Sequence, residues 1–295
     1  MGSQALVIGS PIAHSRSPLL HNVGYKALGL SDWQYDRAEI TAEQVPEFLA
    51  KLDPSVRGVS VTMPCKFAAL EAADSHTKRA KAIGSANTLV RIDNSNSWRA
   101  DNTDVDGIRG CFDELFAGGA QQALTGKVAL IFGSGGTARP AIWACCETGV
   151  SQVIIINRRD RSSEFIDLQQ YFPDVNIQFV VLPSFGVDSL DDYEAGERRQ
   201  LENLSKLANV AINTIPAAAT QAFAPLFADT PVVDVIYDPW PTLLVTAAEQ
   251  GAGKVVGGYV MLAYQAFEQF EQFTGYVAPR AAMLAALLLD LGIQD

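Results

Sequence analysis

Short apolar segments alternate with longer segments of helical periodicity over roughly the first hundred residues. This pattern predicts strands at Ala5–Ile8, Trp33–Ala38 and Val56–Val61, and helices at Pro18–Leu28, Glu43–Lys51 and Lys66–Ala73. The segments Ala86–Ile92 and Trp98–Ala100 flank a polar turn at 93–97 and predict a hairpin. This alternation of strands and helices indicates an α/β unit with a mainly parallel sheet.

A second α/β pattern begins near Lys127 and indicates a doubly wound sheet. Its predicted strands lie in the segments 128–132, 150–159, 176–183, 207–216 and 230–239. Ser184–Gln200 is polar and acidic, which predicts an exposed insertion. Beyond Gly257 the pattern predicts two helices, Tyr259–Phe273 and Arg280–Leu291. We expect these helices to return to the first domain, leaving a cleft between a domain of 1–104 completed by 259–295 and a domain of 105–258.

Composition excludes several classes of function. The net charge of the 295-residue chain is -11, which disfavours nucleic acid and anionic membrane surfaces as partners. No secretory leader or stretch of membrane-spanning length is evident, and the four cysteines form no CxxC pair, so a reduced cytoplasmic protein is expected. His14, His21 and His76 have no metal-ligand spacing, so no metal is expected.

A glycine-rich segment follows the strand Val128–Phe132 and precedes a helical stretch, Ala138–Glu147. It matches the G-x-G-x-x-G/A pattern of dinucleotide-binding turns. In that pattern the first glycine permits a tight turn, the second lets the backbone approach a pyrophosphate, and the final small residue allows close helix–strand packing. The alternative is a glycine-rich turn without a ligand. The candidate cofactor residues here are Gly133, Ser134, Gly135, Gly136, Thr137 and Ala138.

The end of the next strand bears on which dinucleotide is used. An acidic residue there holds the ribose 2′-hydroxyl of NAD, whereas guanidinium groups suit a 2′-phosphate. This chain has Asn157 followed by Arg158, Arg159 and Arg161, which predicts NADP(H). Because Asp160 lies in the same turn, NAD(H) remains an alternative cofactor. The structural alternative is a solvated basic turn that binds no cofactor.

Three further polar segments stand out beside strand ends. They contain Thr62, Pro64 and Lys66, then Asn87, then the run 102–104. Each alone has a structural explanation, such as a helix cap at Thr103 or Asp104. The stretch Gly9–Asn22 is similar, because Ser17 before Pro18 predicts a capped helix start. A helix N-terminus with extra hydroxyls also favours an anion.

Taken together and in order, six segments resemble the shikimate dehydrogenase family over almost the whole chain. They read GSPIAHSRSPLLHN, GVSVTMPCK, GSANTLV, ADNTDVDG, GSGGTAR and MLAYQAFEQFEQFTG. The resemblance implies an α/β enzyme with an N-terminal substrate domain and a doubly wound Rossmann dinucleotide-binding domain. It implies the reversible NADP-dependent reduction of 3-dehydroshikimate to shikimate in chorismate and aromatic amino-acid biosynthesis.

The resemblance also assigns roles to single residues. It makes Lys66 the catalytic lysine and Asp104 its partner. Lysine has a reference pKa of about 10.4 and can supply the proton that a reduced ketone needs. The implied substrate ligands are Ser15 and Ser17 at the carboxylate, Thr62, Asn87 and Gln265 at the ring hydroxyls, and Tyr237 near the carboxylate. Gly258 and Met261 are implied at the nicotinamide pocket, and Thr214 and Val235 complete the cofactor set.

Some positions depart from the family pattern. Ser60 stands where the family usually has asparagine, and Ser162 stands where a basic residue is usual, with Arg161 one place early. Two alternatives therefore stay open. One is an NAD-dependent quinate/shikimate dehydrogenase, and the other is a non-catalytic ligand-sensing relative. The expected state is a monomer or a homodimer.

Overall fold

The computed structural model describes residues 2–93 and 95–293. The chain divides into two compact units: unit 1 is Met1–Gly107 with Leu262–Asp295, and unit 2 is Ile108–Met261. Met1, Asn94, Gln294 and Asp295 lie outside the described residues, although the predicted domain bounds and the predicted hairpin turn include them.

Unit 1 is built on a six-stranded sheet in the order β2-β1-β3-β5-β6-β4. Two helices, α5 (Asp104–Leu115) and α11 (Gly258–Thr274), each contribute residues to both units. The other elements of unit 1 are β1 (Ser3–Gly9), α1 (Ser17–Ala27), β2 (Trp33–Glu39), α2 (Val45–Lys51), β3 (Val56–Val61), α3 (Lys66–Ala72), β4 (Ser75–His76), α4 (Lys78–Ile83), β5 (Thr88–Arg91), β6 (Trp98–Asp101) and α12 (Arg280–Leu291).

The sheet of unit 1 is mixed but mainly parallel, as predicted, because three of its five neighbouring strand pairs are parallel. Strand β1 pairs in parallel with β2 and β3, but β5 is antiparallel to both β3 and β6. The hairpin of β5 and β6 was predicted, and β5 is the strand that runs against the others, since β6 is antiparallel to β5 and therefore runs in the same direction as β3. The short elements β4 and α4 were not predicted, because two strand residues and one charged helical turn carry little periodicity.

The two faces of this sheet bury different partners. Leu6 and Ile8 on β1, with Val59 and Val61 on β3, belong to a core that also contains residues of α2 and α3. The opposite face of β3 lies under α11, because a Cβ at Gly58 would stand 2.0 Å from the ring of Phe273. Helix α11 therefore packs on the sheet of unit 1.

Unit 2 has a six-stranded sheet in the order β12-β11-β10-β7-β8-β9, and every neighbouring pair is parallel. Strand β7 lies between β8 on one side and β10 on the other, which is the arrangement of a doubly wound sheet. The elements of unit 2 are α6 (Ala120–Leu124), β7 (Val128–Phe132), α7 (Ala138–Glu147), β8 (Gln152–Asn157), α8 (Ile166–Tyr171), β9 (Asn176–Val181), α9 (Ala195–Leu207), β10 (Val210–Asn213), β11 (Val232–Asp234), α10 (Leu243–Gln250) and β12 (Val255–Gly257).

The segment 184–200 is only partly the exposed insertion that its polarity predicted. Phe185 and Tyr193 are 4% and 6% exposed and belong to the core of unit 2. The ring of Phe185 stacks on that of Phe223 with centroids 5.0 Å apart. Two aromatic anchors among acidic residues thus fix the segment, and α9 begins at Ala195 within it.

In the part of the chain that the structure describes, no helix combines the length and the apolar character needed to cross a membrane.

Candidate active site

Polar side chains lie together at one end of three neighbouring strands of the unit 1 sheet. Strand β3 ends at Val61, and the antiparallel β5 begins at Thr88 beside that end. Strand β6 runs antiparallel to β5, so its last residue, Asp101, pairs with Thr88 at the same edge. The mixed topology therefore brings Lys66, Asn87 and Asp104, which follow or precede these strand ends, to one place.

Lys66 and Asp104 form a close ion pair at this edge. The Lys66 Nζ donates to Asp104 Oδ2 at 2.5 Å, and the lysine and aspartate side chains are 16% and 8% exposed. The amide Nδ2 of Asn87 donates to the other carboxylate oxygen, Asp104 Oδ1, at 2.8 Å. Both carboxylate oxygens are therefore engaged, and the ammonium is held at the sheet edge with part of its surface accessible.

The stretch Gly9–Asn22 lies beside the same loop that carries Thr62. The Thr62 backbone N–H donates to Ile8 O at 2.9 Å, and the Ser10 N–H donates to Met63 O at 3.1 Å. A Cβ at Gly9 would stand 2.4 Å from Thr62 Cγ2, so only glycine permits this approach. The loop with Ser15 and the loop with Thr62 are thus joined by backbone contacts.

The start of α1 differs from its prediction. Ser17 is the first helical residue and does not cap the helix; Arg16 occupies the cap position and makes no side-chain cap bond. The prediction of Ser17 as the cap was wrong, because the turn at Ser15 supplies the acceptor instead. The hydroxyl of Ser15 accepts from the Ser17 N–H at 3.4 Å. Ser17 is buried, while Ser15 is partly exposed.

Asn87 is the predicted substrate ligand that bonds to the Lys66–Asp104 pair, and Gln265 and Tyr237 have other surroundings. Gln265 on α11 is buried in unit 1, and its Nε2 donates to Leu262 O of its own helix at 2.8 Å. Tyr237 follows β11 in unit 2 and is partly exposed.

Asp101, the last residue of β6, is a buried carboxylate with several hydrogen-bond donors. Asp101 accepts from the Arg79 guanidinium through two bonds of 2.7 Å, from Thr77 Oγ1 at 2.7 Å and from Gln272 Nε2 at 2.8 Å. Burial raises the pKa of this carboxyl, but the Arg79 bonds and charge with the two neutral donors outweigh it and hold the pKa at about 2. Asp101 is therefore ionised and fixes the end of β6 against α4 and α11.

The predicted cofactor residues all belong to unit 2 and follow the carboxyl ends of its strands. The glycine-rich segment follows β7, Asn157 ends β8, Thr214 follows β10, Val235 follows β11 and Gly258 follows β12. Ligands of doubly wound sheets bind at this edge, where strand order reverses. The reversal in this sheet lies between β7 and β10.

The glycine loop has the shape that a pyrophosphate requires. Gly133 has a φ of +97°, and a Cβ there would stand 2.5 Å from Ile215 Cγ2. At Gly135 and Gly136 a Cβ would meet no atom within 4 Å, so open space lies over the loop before α7. Across the sheet edge a Cβ at Gly258 would stand 2.0 Å from Val235 O. These residues fit a dinucleotide at the N-terminus of α7.

The basic turn after β8 contains one arginine in an ion pair, Arg161, and two further exposed arginines, Arg158 and Arg159. Arg161 donates to Glu164 through bonds of 2.6 and 2.7 Å, and Arg139 contacts the same carboxylate at 3.0 Å. Arg158 and Arg159 are exposed. A depression of about 680 Å³ is lined by Asn157, Arg158, Arg159, Arg161 and Pro183.

Two smaller contacts order this turn. Asn157 Nδ2 donates to Ser134 Oγ at 2.7 Å, which joins the end of β8 to the glycine loop. Asp160 accepts from the Ser162 N–H at 2.8 Å, and this bond lowers the pKa of its carboxyl.

Among the described residues, no group of three or more His, Cys, Asp or Glu side chains has the arrangement of a metal site.

Sequence reasoning did not single out Gln269 and Tyr35, and it treated Ser60 only as a departure from a pattern. All three lie in one hydrogen-bonded cluster beside Asn87. One signal in the sequence points to Gln269, since Gln265, Gln269 and Gln272 repeat at the spacing of one helix face.

The two units together define a class of protein. A glycine loop at the reversal point of a parallel sheet, with a lysine–carboxylate pair on a second α/β unit, is typical of α/β dehydrogenases that use a dinucleotide. Two family models match the chain: the shikimate dehydrogenase substrate binding domain over residues 7–89 and the shikimate 5'-dehydrogenase C-terminal domain over residues 258–288.

Solved structures agree with these models. A shikimate 5-dehydrogenase from Mycobacterium fortuitum is 44% identical, with a TM-score of 0.82 and coverage of 97% of this chain and 98% of that one. The shikimate 5-dehydrogenase of Thermus thermophilus, in complex with NADP(H) and shikimate, is 28% identical, with a TM-score of 0.76 and coverage of 97% and 98%. The chain belongs to the shikimate dehydrogenase family.

A curated relative is the pentafunctional AROM polypeptide of Candida glabrata, 32% identical over 95% of this chain. The chain spans 17% of the length of that relative.

Proposed function

We propose that this protein catalyses the reversible NADP-dependent reduction of 3-dehydroshikimate to shikimate, a step of aromatic amino-acid biosynthesis. The observation that carries the proposal is the ion pair of Lys66 and Asp104, with Asn87 on the second carboxylate oxygen, in a chain of this family. The relative from Thermus thermophilus, whose complex contains NADP(H) and shikimate, supports the choice of substrate.

Lys66 carries the proton in this proposal. In the direction of ketone reduction, Lys66 Nζ donates a proton to the oxygen that becomes the hydroxyl; in oxidation the same nitrogen accepts it. Asp104 Oδ2 orients the ammonium through the 2.5 Å contact. Because Asn87 occupies Oδ1, the carboxylate has one oxygen for the lysine and one for its own support.

The substrate is held by hydroxyl and amide groups of unit 1. We assign Ser15 and Ser17 to the substrate carboxylate, since they lie at the N-terminus of α1, an 11-residue helix. Thr62, Asn87 and Gln265 are assigned to the ring hydroxyls, and Tyr237 of unit 2 to the carboxylate. Neutral donors suit this task because they bind an anion without adding charge beside Lys66.

The cofactor is held by unit 2. We assign the pyrophosphate to the loop Gly133–Ala138, whose open space and helix N-terminus fit it. We assign the rest of the cofactor to residues beyond the other strands of this sheet: Thr214 after β10, Val235 after β11, Gly258 after β12, and Met261 in α11. When bound, NADP(H) supplies or accepts the hydride of the reaction.

We assign the 2′-phosphate of NADP to the depression beside Asn157. Arg158 and Arg159 are exposed there, and a guanidinium binds phosphate through paired hydrogen bonds. Asp160 is the acidic residue that would favour NAD, but its carboxylate accepts from the Ser162 N–H of its own turn. The balance of charge at this turn favours NADP.

A cytoplasmic location fits the four cysteines, which are all free and buried.

A steady-state assay tests the proposal, with shikimate and quinate each combined with NADP and NAD. We expect the highest kcat/KM for shikimate with NADP. Higher kcat/KM with NAD would reject the cofactor assignment. Preference for quinate would reject the substrate assignment, and binding of shikimate without turnover would reject the enzymatic function.

A further inference from the structure

The face of β3 under α11 carries a polar residue in an otherwise apolar contact. Side chains alternate along a strand, so Gly58 and Ser60 share the face that α11 covers, while Val59 and Val61 face the opposite core. Phe273 packs on Gly58, and Gln269, one helical turn earlier, reaches Ser60. The strand step of two residues matches one turn of helix.

Ser60 bridges β2 and α11 through its hydroxyl. Tyr35 Oη donates to Ser60 Oγ at 2.6 Å, and Ser60 Oγ donates to Gln269 Oε1 at 2.6 Å. Tyr35 lies in the row Tyr35–Ala5–Gly58 across three strands, and the small Ala5 lets the tyrosine ring reach over β1. Ser60 is 3% exposed and its single hydroxyl hydrogen is committed to Gln269.

Gln269 continues the chain of bonds toward Asn87. Its oxygen accepts from Ser60, so its Nε2 must face the other way, where it donates to Asn87 O at 3.1 Å and to Thr88 Oγ1 at 3.0 Å. Thr88 Oγ1 in turn donates to Asn87 Oδ1 at 2.8 Å. The sense of donation is therefore the same at every step from Tyr35 to Asn87.

This direction decides how the Asn87 amide is oriented. Its oxygen accepts from Thr88 Oγ1 and from the Thr103 N–H at 2.7 Å, so its Nδ2 is the group left to face Asp104. A rotated amide would place an oxygen against the Asp104 carboxylate and leave two donors without an acceptor. The amide orientation in turn fixes Asp104 Oδ1, and Asp104 Oδ2 then meets Lys66 Nζ.

We propose that Gln269 and Ser60 are positioning residues for the reaction: their buried bridge orients the Asn87 amide and, through it, the Asp104 carboxylate that holds Lys66. This inference rests on the proposed function for its kinetic consequence. Neither side chain needs to touch substrate, because both act through hydrogen bonds already made within unit 1.

The test uses two variants of the bridge and one matched control. Gln269→Met keeps the length of the side chain and removes both polar ends, and Ser60→Ala removes only the bridging hydroxyl. Gln272→Met is the control, because Gln272 lies one turn further along α11 and donates to Asp101 at 2.8 Å, away from Asn87. All three lose at least one hydrogen bond of α11, so a loss of packing alone would appear in the control as well.

We expect Gln269→Met and Ser60→Ala to lower kcat for shikimate oxidation about tenfold, with KM changed less than about threefold. Gln272→Met should lower the melting temperature and keep kcat. The double variant of Ser60→Ala and Gln269→Met should be no slower than Gln269→Met alone, since both act through one chain of bonds.

The proposal would be overturned if Ser60→Ala, and Gln269→Met where it folds, kept kcat within about twofold of wild type. It would also be overturned if Gln272→Met lost as much kcat as they do. Ser60→Ala decides the matter if Gln269→Met does not fold, because the smaller change leaves the helix contact intact. Failure of the proposed function is distinguishable, since it appears as absence of turnover in wild type.

A crystal structure of Ser60→Ala gives a readout that needs no turnover. We expect the contact of Asn87 Nδ2 with Asp104 Oδ1, 2.8 Å in the wild-type chain, to lengthen beyond hydrogen-bond distance. An unchanged contact would also overturn the proposal.

Discussion

Replacement of Asp101 by asparagine should weaken unit 1 in a way that depends on pH. Burial and the surrounding hydrogen-bond donors oppose one another at this carboxyl, and the donors hold its pKa at about 2 against an ordinary value of 3.8. One pKa unit corresponds to about 1.36 kcal/mol, so the ionised carboxylate contributes about 2 kcal/mol of stability. Because the pKa is lowered on folding, this contribution is present above about pH 4 and is lost as the pH falls toward 2.

The variant removes this pH dependence together with the partner of a buried cation. Arg79 is 15% exposed and keeps its ion pair with Asp106 at 2.7 Å, but after the change residue 101 offers it only a neutral amide oxygen. Breaking one partner of a buried pair costs about 3–5 kcal/mol, which sets the expected loss at neutral pH. Denaturant unfolding of wild type and Asp101→Asn at about pH 7 and about pH 3 should show the difference in unfolding free energy shrinking by about 1 kcal/mol at the lower pH.

The control is Asp290→Asn, which removes an exposed carboxylate that pairs with Arg16 at 2.9 Å. We expect it to cost less than about 1 kcal/mol, as exposed ion pairs do. If the difference between wild type and Asp101→Asn stays constant from about pH 7 to about pH 3, the assignment of a lowered pKa to a stabilising carboxylate is refuted.

Three further outcomes are expected. Burial lowers the pKa of His21 to about 3, and the hydrogen bond of the Gln269 side chain offsets this only in part. Wild type should therefore lose up to about 1.4 kcal/mol of stability per pH unit as the pH falls below about 6.5. In denaturant titrations at different pH values, His21→Phe should lack this slope. Burial raises the pKa of the Cys65 thiol, so thiol titration should label it only after denaturation; rapid labelling of the native protein at this position would contradict its packing against Ile40 O. Glu164→Gln removes the carboxylate that pairs with Arg161, so it should lower the KM for NADP about threefold and leave the KM for NAD unchanged. Glu202 is equally exposed and pairs with Arg198, so Glu202→Gln should change neither KM.

Elements with strong periodicity could be predicted from the sequence to the residue. The bounds of the strand Val56–Val61 and of the helices Ala138–Glu147 and Arg280–Leu291 are confirmed. Prediction failed where tertiary contacts decide: Phe185 and Tyr193 are buried although their neighbours are acidic, because two aromatic rings suffice to anchor a loop.

The candidate site could be predicted as a set of residues but not as a network. Lys66, Asn87 and Asp104 each follow or precede a strand, but their position alone also allowed structural roles, and the resemblance to the family is what singled them out. Which of them meet depends on the antiparallel placement of β5, which a local pattern does not encode. The bridge of Ser60 and Gln269 joins residues 209 positions apart, so only the packing of α11 on β3 reveals it.

Replacement of Lys66 tests the central claim most directly. The measurement is kcat for shikimate oxidation with saturating NADP by wild type, Lys66→Ala and Lys51→Ala, the last removing an exposed lysine that pairs with Glu47. Loss of a general acid–base group lowers rates by about two to four decades, so Lys66→Ala should fall by that amount with a smaller change in KM, while Lys51→Ala keeps the wild-type rate. A kcat of Lys66→Ala close to that of wild type would contradict the account.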